Sequence, residues 1–162
     1  MIRIGRLPAE RWRDYRNLRL ESLKNDPSAF GASFNEEKDL SEKVWRKRMP
    51  SVLFALSDGV PVGMVTYVFV KEMKFSHIAE IYGFYVSPRC RGAGIGAMLL
   101  ESALSSVRRR KGIVKVKLEA NAEQLAALRV YERAGFVVAG RFAKDMKVGR
   151  KFYDRVFMEK ML

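Results

Sequence analysis

Apolar and polar residues alternate along Ile2-Arg3-Ile4-Gly5-Arg6-Leu7, the period of a half-buried strand, and the run stops at Pro8. Trp12, Tyr15, Leu18 and Leu23 then recur at near-helical spacing, which predicts an amphipathic helix over Ala9 to Lys24 with its aromatic stripe turned inward. Asn25-Asp26-Pro27-Ser28 ends it, and Ala29 to Phe34 reads as a loop carrying two phenylalanines. A second helix is predicted from Asp39 to Met49, with Asp39 and Glu42 spaced as a capping box. Two apolar runs, Ser51 to Leu56 and Val62 to Phe69, flank Ser57-Asp58-Gly59-Val60-Pro61, a hairpin signal. With the long apolar run Ile78 to Val86 they predict a three-stranded antiparallel meander.

The run breaks at Pro88, passes through glycines and resumes as Met98, Leu99, Ala103, Leu104 and Val107, the inner face of a helix from Gly94 to about Arg110. Val114-Lys115-Val116-Lys117-Leu118 alternates as a strand with one wet face. Leu125, Leu128 and Tyr131 mark a further helix from Ala122 to Ala134, with Gly135 as its C-cap. Phe136 to about Met146 and Phe152 to Met161 close the chain as a hairpin turning at Val148-Gly149-Arg150. The predicted fold class is α/β (α+β): one domain over residues 1–162, with seven strands in a mixed, mostly antiparallel sheet and four helices. The connection between Val86 and Val114 through a helix predicts a parallel pair there.

The 162 residues are 48% apolar, enough for a full core, and no apolar stretch approaches the ~20 residues of a membrane span. Met1-Ile2-Arg3-Ile4 lacks the apolar region of a signal peptide, so the expectation is a soluble, cytoplasmic protein. Cys90 is the only cysteine, which excludes an internal disulfide and a cysteine-cluster metal site; it reads as a bystander, and His77, the only histidine, as a surface residue. One glutamine and four asparagines among many charges suit a thermophilic source.

A net charge of +13 suits nucleic acid or a ligand carrying several phosphates. The basic run Arg108-Arg109-Arg110-Lys111 closes a helix and contains no aromatic residue, so nucleic acid is not the expected partner. Gly92, Gly94 and Gly96 leave backbone N–H groups unshielded where a helix begins, a setting that favours phosphate. Neither the spacing of a dinucleotide-binding loop nor that of a P-loop fits.

Arg91-x-x-Gly94-x-Gly96 after Val86-x-Pro88 resembles the pyrophosphate motif of the GNAT superfamily of acyl-CoA-dependent N-acetyltransferases. Ala127-Leu128-Arg129-Val130-Tyr131-Glu132-Arg133-Ala134-Gly135-Phe136 resembles that family's A-x-x-x-Y-x-x-x-G-F signature, and the order of elements matches over nearly the whole chain. The resemblance implies that the central parallel strands splay apart and that acetyl-CoA, as co-substrate, lies in the gap, with no metal required. It implies that Arg91 and the amides of Gly92, Ala93, Gly94, Ile95 and Gly96 hold the pyrophosphate. Backbone N–H groups of Phe84, Tyr85 and Val86 are the expected donors to the pantetheine arm and the oxyanion. Tyr131 is the candidate to protonate the departing thiolate. The family places an asparagine where this chain has Gln124, with Asn121 nearby, so either amide is open as a cofactor contact.

Glu80, the only carboxylate in its apolar strand and eleven residues before Arg91, matches the catalytic glutamate of histone-type members, where an Ala-Glu-Ile tripeptide also recurs. Held among Ile78, Tyr82 and Phe84, it is expected to titrate above ordinary carboxylates and to take the amine's proton, directly or through a water. Phe30, Phe34 and Tyr153, with Glu36 and Asp145, lie on segments flanking the acceptor side in this fold; the two phenylalanines either meet the acceptor or plug the core. The acceptor implied is a primary amine of a small molecule or a protein. A non-catalytic acyl-CoA-binding module that meets RNA or the ribosome is the alternative, and the terminal hairpin offers an edge for a homodimer.

Overall fold

The computed structural model describes all of residues 1–162. Its elements are β1 (Ile2–Gly5), α1 (Trp12–Asn25), α2 (Phe34–Glu37), α3 (Glu42–Arg48), β2 (Val52–Ser57), β3 (Val60–Phe69), β4 (Ile78–Val86), α4 (Ile95–Arg108), β5 (Lys115–Asn121), α5 (Leu125–Arg133), β6 (Val137–Val148) and β7 (Lys151–Met161). The strands form one sheet in the order β1-β2-β3-β4-β5-β7-β6, antiparallel at every junction except the parallel pair β4 and β5.

Alternation along the strands divides the core in two. On one face Ala79, Ile81, Val116, Leu118, Val156 and Met158 meet Leu99, Leu100, Ala103, Leu104 and Val107 of α4 and Tyr131 of α5. On the other, Phe54, Met64 and Tyr85 meet Tyr15, Leu18 and Trp45 of α1 and α3. Tyr15 stands edge-on to Trp45 and Phe54 at 5.3 and 5.6 Å between ring centroids. Each large side chain so buried contributes roughly 1.5–3 kcal/mol of transfer free energy, which is why these apolar stripes decide where the helices lie.

The reading of the chain between α1 and β2 needs correcting. The capping box is made by Ser33 and Glu36, each side chain bonding the other's backbone N–H, and it opens the four-residue helix α2, which begins at Phe34, the last residue of the stretch read as a loop. The following helix begins at Glu42 after Ser41, not at Asp39, so there are five α-helices rather than four. On α4, Met98 lies outside the core at 42% exposure; Ile95 and Leu100 fill the inner stripe with the other predicted residues.

Two features of β4 shape the centre. Its pairing with β5 runs only from Ile78↔Lys115 to Ile81↔Leu118, although both strands continue, so they part beyond that point. Against β3, Thr66 faces Tyr82 and Met64 faces Tyr85, leaving Gly83 and Phe84 opposite the single residue Val65. This is a β-bulge, and Gly83 holds its positive φ of 62°.

Candidate functional site

Where β4 and β5 part, a cavity of about 470 Å³ opens between the sheet, the segment after α1 and the β6–β7 hairpin. Phe30, Gly31 and Ala32 line it from that segment; Glu80, Tyr82 and Phe84 from β4; Lys117, Glu119 and Asn121 from β5. Arg155, Phe157 and Glu159 of β7, Met146 of β6, Tyr131 of α5 and Arg19 of α1 complete the wall.

The loop between β4 and α4 ends in Gly92 and Gly94 at φ 81° and 75°, and Gly94 is the N-cap of α4. No backbone or side-chain acceptor takes the N–H groups of Gly92, Ala93, Gly94, Ile95, Gly96 or Ala97; the first inward bond of the helix is Met98 N to Gly94 O at 3.1 Å. Six consecutive free donors at the positive end of a 14-residue helix form a cradle suited to a diphosphate. Arg91, assigned to the same ligand, is engaged elsewhere: its Nε donates to the Val86 carbonyl at 2.9 Å and its Nη2 to Asp26 at 2.5 Å.

Ser87 N donates to Val62 O, so antiparallel alternation turns the N–H of Val86 away from β3 and toward the gap. The same alternation turns Tyr85 toward β3, which corrects its place among the expected donors. The Tyr85 side chain is buried against α1; its hydroxyl accepts from Asn25 Nδ2 and donates to Glu21 Oε1, both at 2.9 Å. Burial first, with Glu21 adding and Asn25 opposing, raises its pKa to about 12.

Tyr131 is buried between Phe84, 5.4 Å away by ring centroid, and Phe136 at 6.2 Å. Burial alone pushes its phenol well above the ordinary tyrosine range, with no charge or hydrogen bond opposing. The group is thus a proton donor with no partner in the protein, at the edge of the cavity.

Glu80 faces the cavity but is not enclosed by apolar groups: its side chain is 44% exposed and stands 3.5 Å from Lys117, the residue opposite it on β5. The bulge at Gly83 explains the difference, because it places Phe84 on the α4 side of the sheet instead of beside Glu80. Asn121 and Gln124 both hold the segment after α1: Asn121 Nδ2 donates to Ser28 O at 2.9 Å and Gln124 Nε2 to Ser28 Oγ at 3.3 Å. Asn121 Oδ1 also accepts from Glu123 N at 2.8 Å, so both ends of that buried amide are occupied.

Phe30 reaches the cavity, whereas Phe34 and Tyr153 do not line it; Lys24 covers the Phe34 ring and Lys151 the Tyr153 ring, at 4.4 and 4.7 Å. The charged lining was not anticipated. Glu119 and Asp145 both hold Arg155, at 2.5 and 2.6 Å, and Glu159 is paired with Lys115. Its one signal in the sequence was the wet face of the strand bearing Lys115 and Lys117. No three His, Cys, Asp or Glu side chains converge in a way that could hold a metal ion.

A sequence profile described as "Acetyltransferase (GNAT) family" matches residues 11–136. The L-amino acid N-acetyltransferase AaaT of Escherichia coli is 23% identical over 126 residues, 75% of this chain and 77% of that protein. A mycothiol acetyltransferase of Salinispora arenicola is 37% identical over 59 residues, 36% of this chain but only 19% of that longer protein. A GNAT phosphinothricin acetyltransferase of Sinorhizobium meliloti, solved in complex with AcCoA, superposes with a TM-score of 0.84 at 19% identity, covering 99% of this chain and 88% of that one.

Proposed function

Because the chain belongs to the Acetyltransferase (GNAT) family, we propose that it transfers the acetyl group of acetyl-CoA to a primary amine by direct attack. The observation that carries this reading is the row of unpaired N–H groups from Gly92 to Ala97, on the loop that follows β4, the strand that parts from β5 beyond Ile81. A diphosphate on the loop directs the attached arm into the cleft, where the N–H of Val86 faces it. The thioester supplies the acetyl group, and the protein positions it and handles protons.

An alkyl ammonium of pKa ~10.4 must lose a proton before it attacks. Glu80 takes that proton, through a water where the carboxylate stands off, and Lys117, 3.5 Å away, helps hold the carboxylate in place. Tyr131 gives its proton to the sulfur as the C–S bond breaks and the amide C–N bond forms. Its raised pKa keeps the phenol protonated at neutral pH; the thiolate is a weaker base than the phenolate, so the transfer goes forward because it is coupled to formation of the product amide.

The test is release of free thiol from acetyl-CoA in the presence of amines, amino acids, peptides and aminoglycosides, with calorimetry of coenzyme A binding. Turnover with at least one amine and binding of coenzyme A are expected. Failure of coenzyme A to bind would refute the reading.

A further inference from the structure

The cavity holds an arginine that the proposed reaction does not use. Arg19 of α1 is only 13% exposed, and its guanidinium lies 4.9 Å from the centre of the Phe30 ring on the cavity wall. Its Nε and Nη2 donate to Glu37 at 3.0 and 3.2 Å. Its Nη1 has no partner in the protein. No enclosed side-chain nitrogen or oxygen lacks a partner, so that Nη1 is accessible, and Arg19 lines the cavity.

The charge around it does not cancel. Glu37 is itself buried and is shared by two arginines, Arg19 and Arg48, the latter at 3.2 Å from Oε2. Two cations on one carboxylate leave one positive charge in excess over the three groups, of which Arg19 and Glu37 are enclosed. The sheet side of the same cavity differs: there Glu80 faces Lys117, and Glu119 faces Arg155. Tyr82 stands between the two regions, within the fields of Arg48, Glu80 and Arg19. The cavity thus offers a carboxylate on its floor and an uncompensated guanidinium on its wall. Phe30, Tyr82, Met146 and Phe157 supply apolar surface around them.

We infer that the acceptor is an amine that also carries a carboxylate, an amino acid with an apolar side chain, and that Arg19 reads the carboxylate through its free Nη1. This rests on the amine-acetylation reading and adds to it the class of acceptor. An arginine N–H on a carboxylate is a charge-assisted bond, and in a site this shielded it discriminates against an acceptor lacking the anion. Glu37 is then a positioning residue: its grip on Nε and Nη2 aims the remaining nitrogen.

The experiment compares L-leucine, L-methionine and L-phenylalanine with isoamylamine, 3-(methylthio)propylamine and phenethylamine, the same skeletons without the carboxylate. Affinity is read by calorimetry in the presence of coenzyme A, and kcat/KM by thiol release. The wild-type protein should favour the amino acids at least tenfold in both. In the variant Arg19→Gln/Glu37→Gln, which leaves no buried carboxylate short of a partner, the preference should fall below about threefold, with circular dichroism confirming the fold. Equal binding of both sets by the wild-type protein would overturn the inference, as would a preference undiminished in the double variant. Discrimination in binding without turnover of either set would support the carboxylate contact and count against acetyl transfer, so the two readings fail separately.

Discussion

A Cβ atom placed on Gly96 would lie 2.9 Å from Cζ of Phe84, so the first turn of α4 rests on a ring of β4 with room for hydrogen alone. That ring in turn packs 5.4 Å from Tyr131. Gly96→Ala must therefore push Phe84 toward the gap. The cost expected is about 1–3 kcal/mol of stability by denaturant unfolding, typical of overpacking, with a raised KM for acetyl-CoA. Unchanged values for both would show that the ring yields freely.

Tyr131→Phe removes a hydroxyl that bonds nothing in the protein, so thermal stability should hold. Turnover should fall about ten-fold or more while coenzyme A affinity stays within about two-fold, because only the departing sulfur loses its proton source. Wild-type turnover in this variant would remove Tyr131 from the mechanism.

Activity should rise with pH as the acceptor amine deprotonates. Tyr131 should impose no fall up to about pH 9, because its folded-state pKa lies above the ordinary 10.0 and the phenol stays protonated. Glu80→Gln should lower kcat/KM at pH 7 by about 10- to 100-fold and by less at pH 9, where a larger share of the amine is already free. Parallel pH profiles for variant and wild type would argue against Glu80 as the base.

Asn121→Ala cuts the link to Ser28 O and the acceptor for Glu123 N–H inside a buried site. A loss of about 1–3 kcal/mol is expected, together with faster amide exchange over residues 26–32. Gln124→Ala, which severs only the 3.3 Å bond to Ser28 Oγ, should cost less.

Asp154 pins the irregular part of β6: Lys144 N donates to Oδ1 at 2.9 Å, and Arg141 donates to Oδ2 at 2.9 and 2.7 Å. The Lys144 N–H first, and Arg141 second, hold its carboxyl below the ordinary 3.8. A carboxyl lowered by folding stabilises the folded state fully above its unfolded pKa, and that support is lost as pH falls through the folded value. Protection of the Lys144 amide should be constant from pH 7 to 5, decline below about pH 4, and be absent at every pH in Asp154→Ala.

The order of strands and helices was legible because each rests on a local period and a local stop, such as Pro8, Gly94 or Gly135. So was the run of unpaired N–H groups from Gly92 to Ala97, since glycines at a helix start expose the backbone wherever the rest of the chain lies. The capping box was misplaced because Asp39 and Glu42 share the spacing of Ser33 and Glu36, and spacing does not say which pair closes. Arg19, Lys117, Glu119 and Arg155 escaped notice because they come from three separate elements and meet only in the folded molecule. The setting of Glu80 was misread for a related reason: a one-residue bulge at Gly83 changes which neighbours share its side of the sheet.

That extra residue acts as a parity switch in an otherwise regular ribbon. Upstream of it, even-numbered side chains look toward α1; downstream, odd-numbered ones do, as Tyr85 shows by bonding Glu21. Were Gly83 to pair as an ordinary strand residue, with no bulge, alternation would run on unbroken and exchange the destinations of Phe84 and Tyr85, putting a phenol beneath α4 and a bare ring against the polar side chains of α1. The two halves of β4 serve different partners because the chain spends one residue to change step between them.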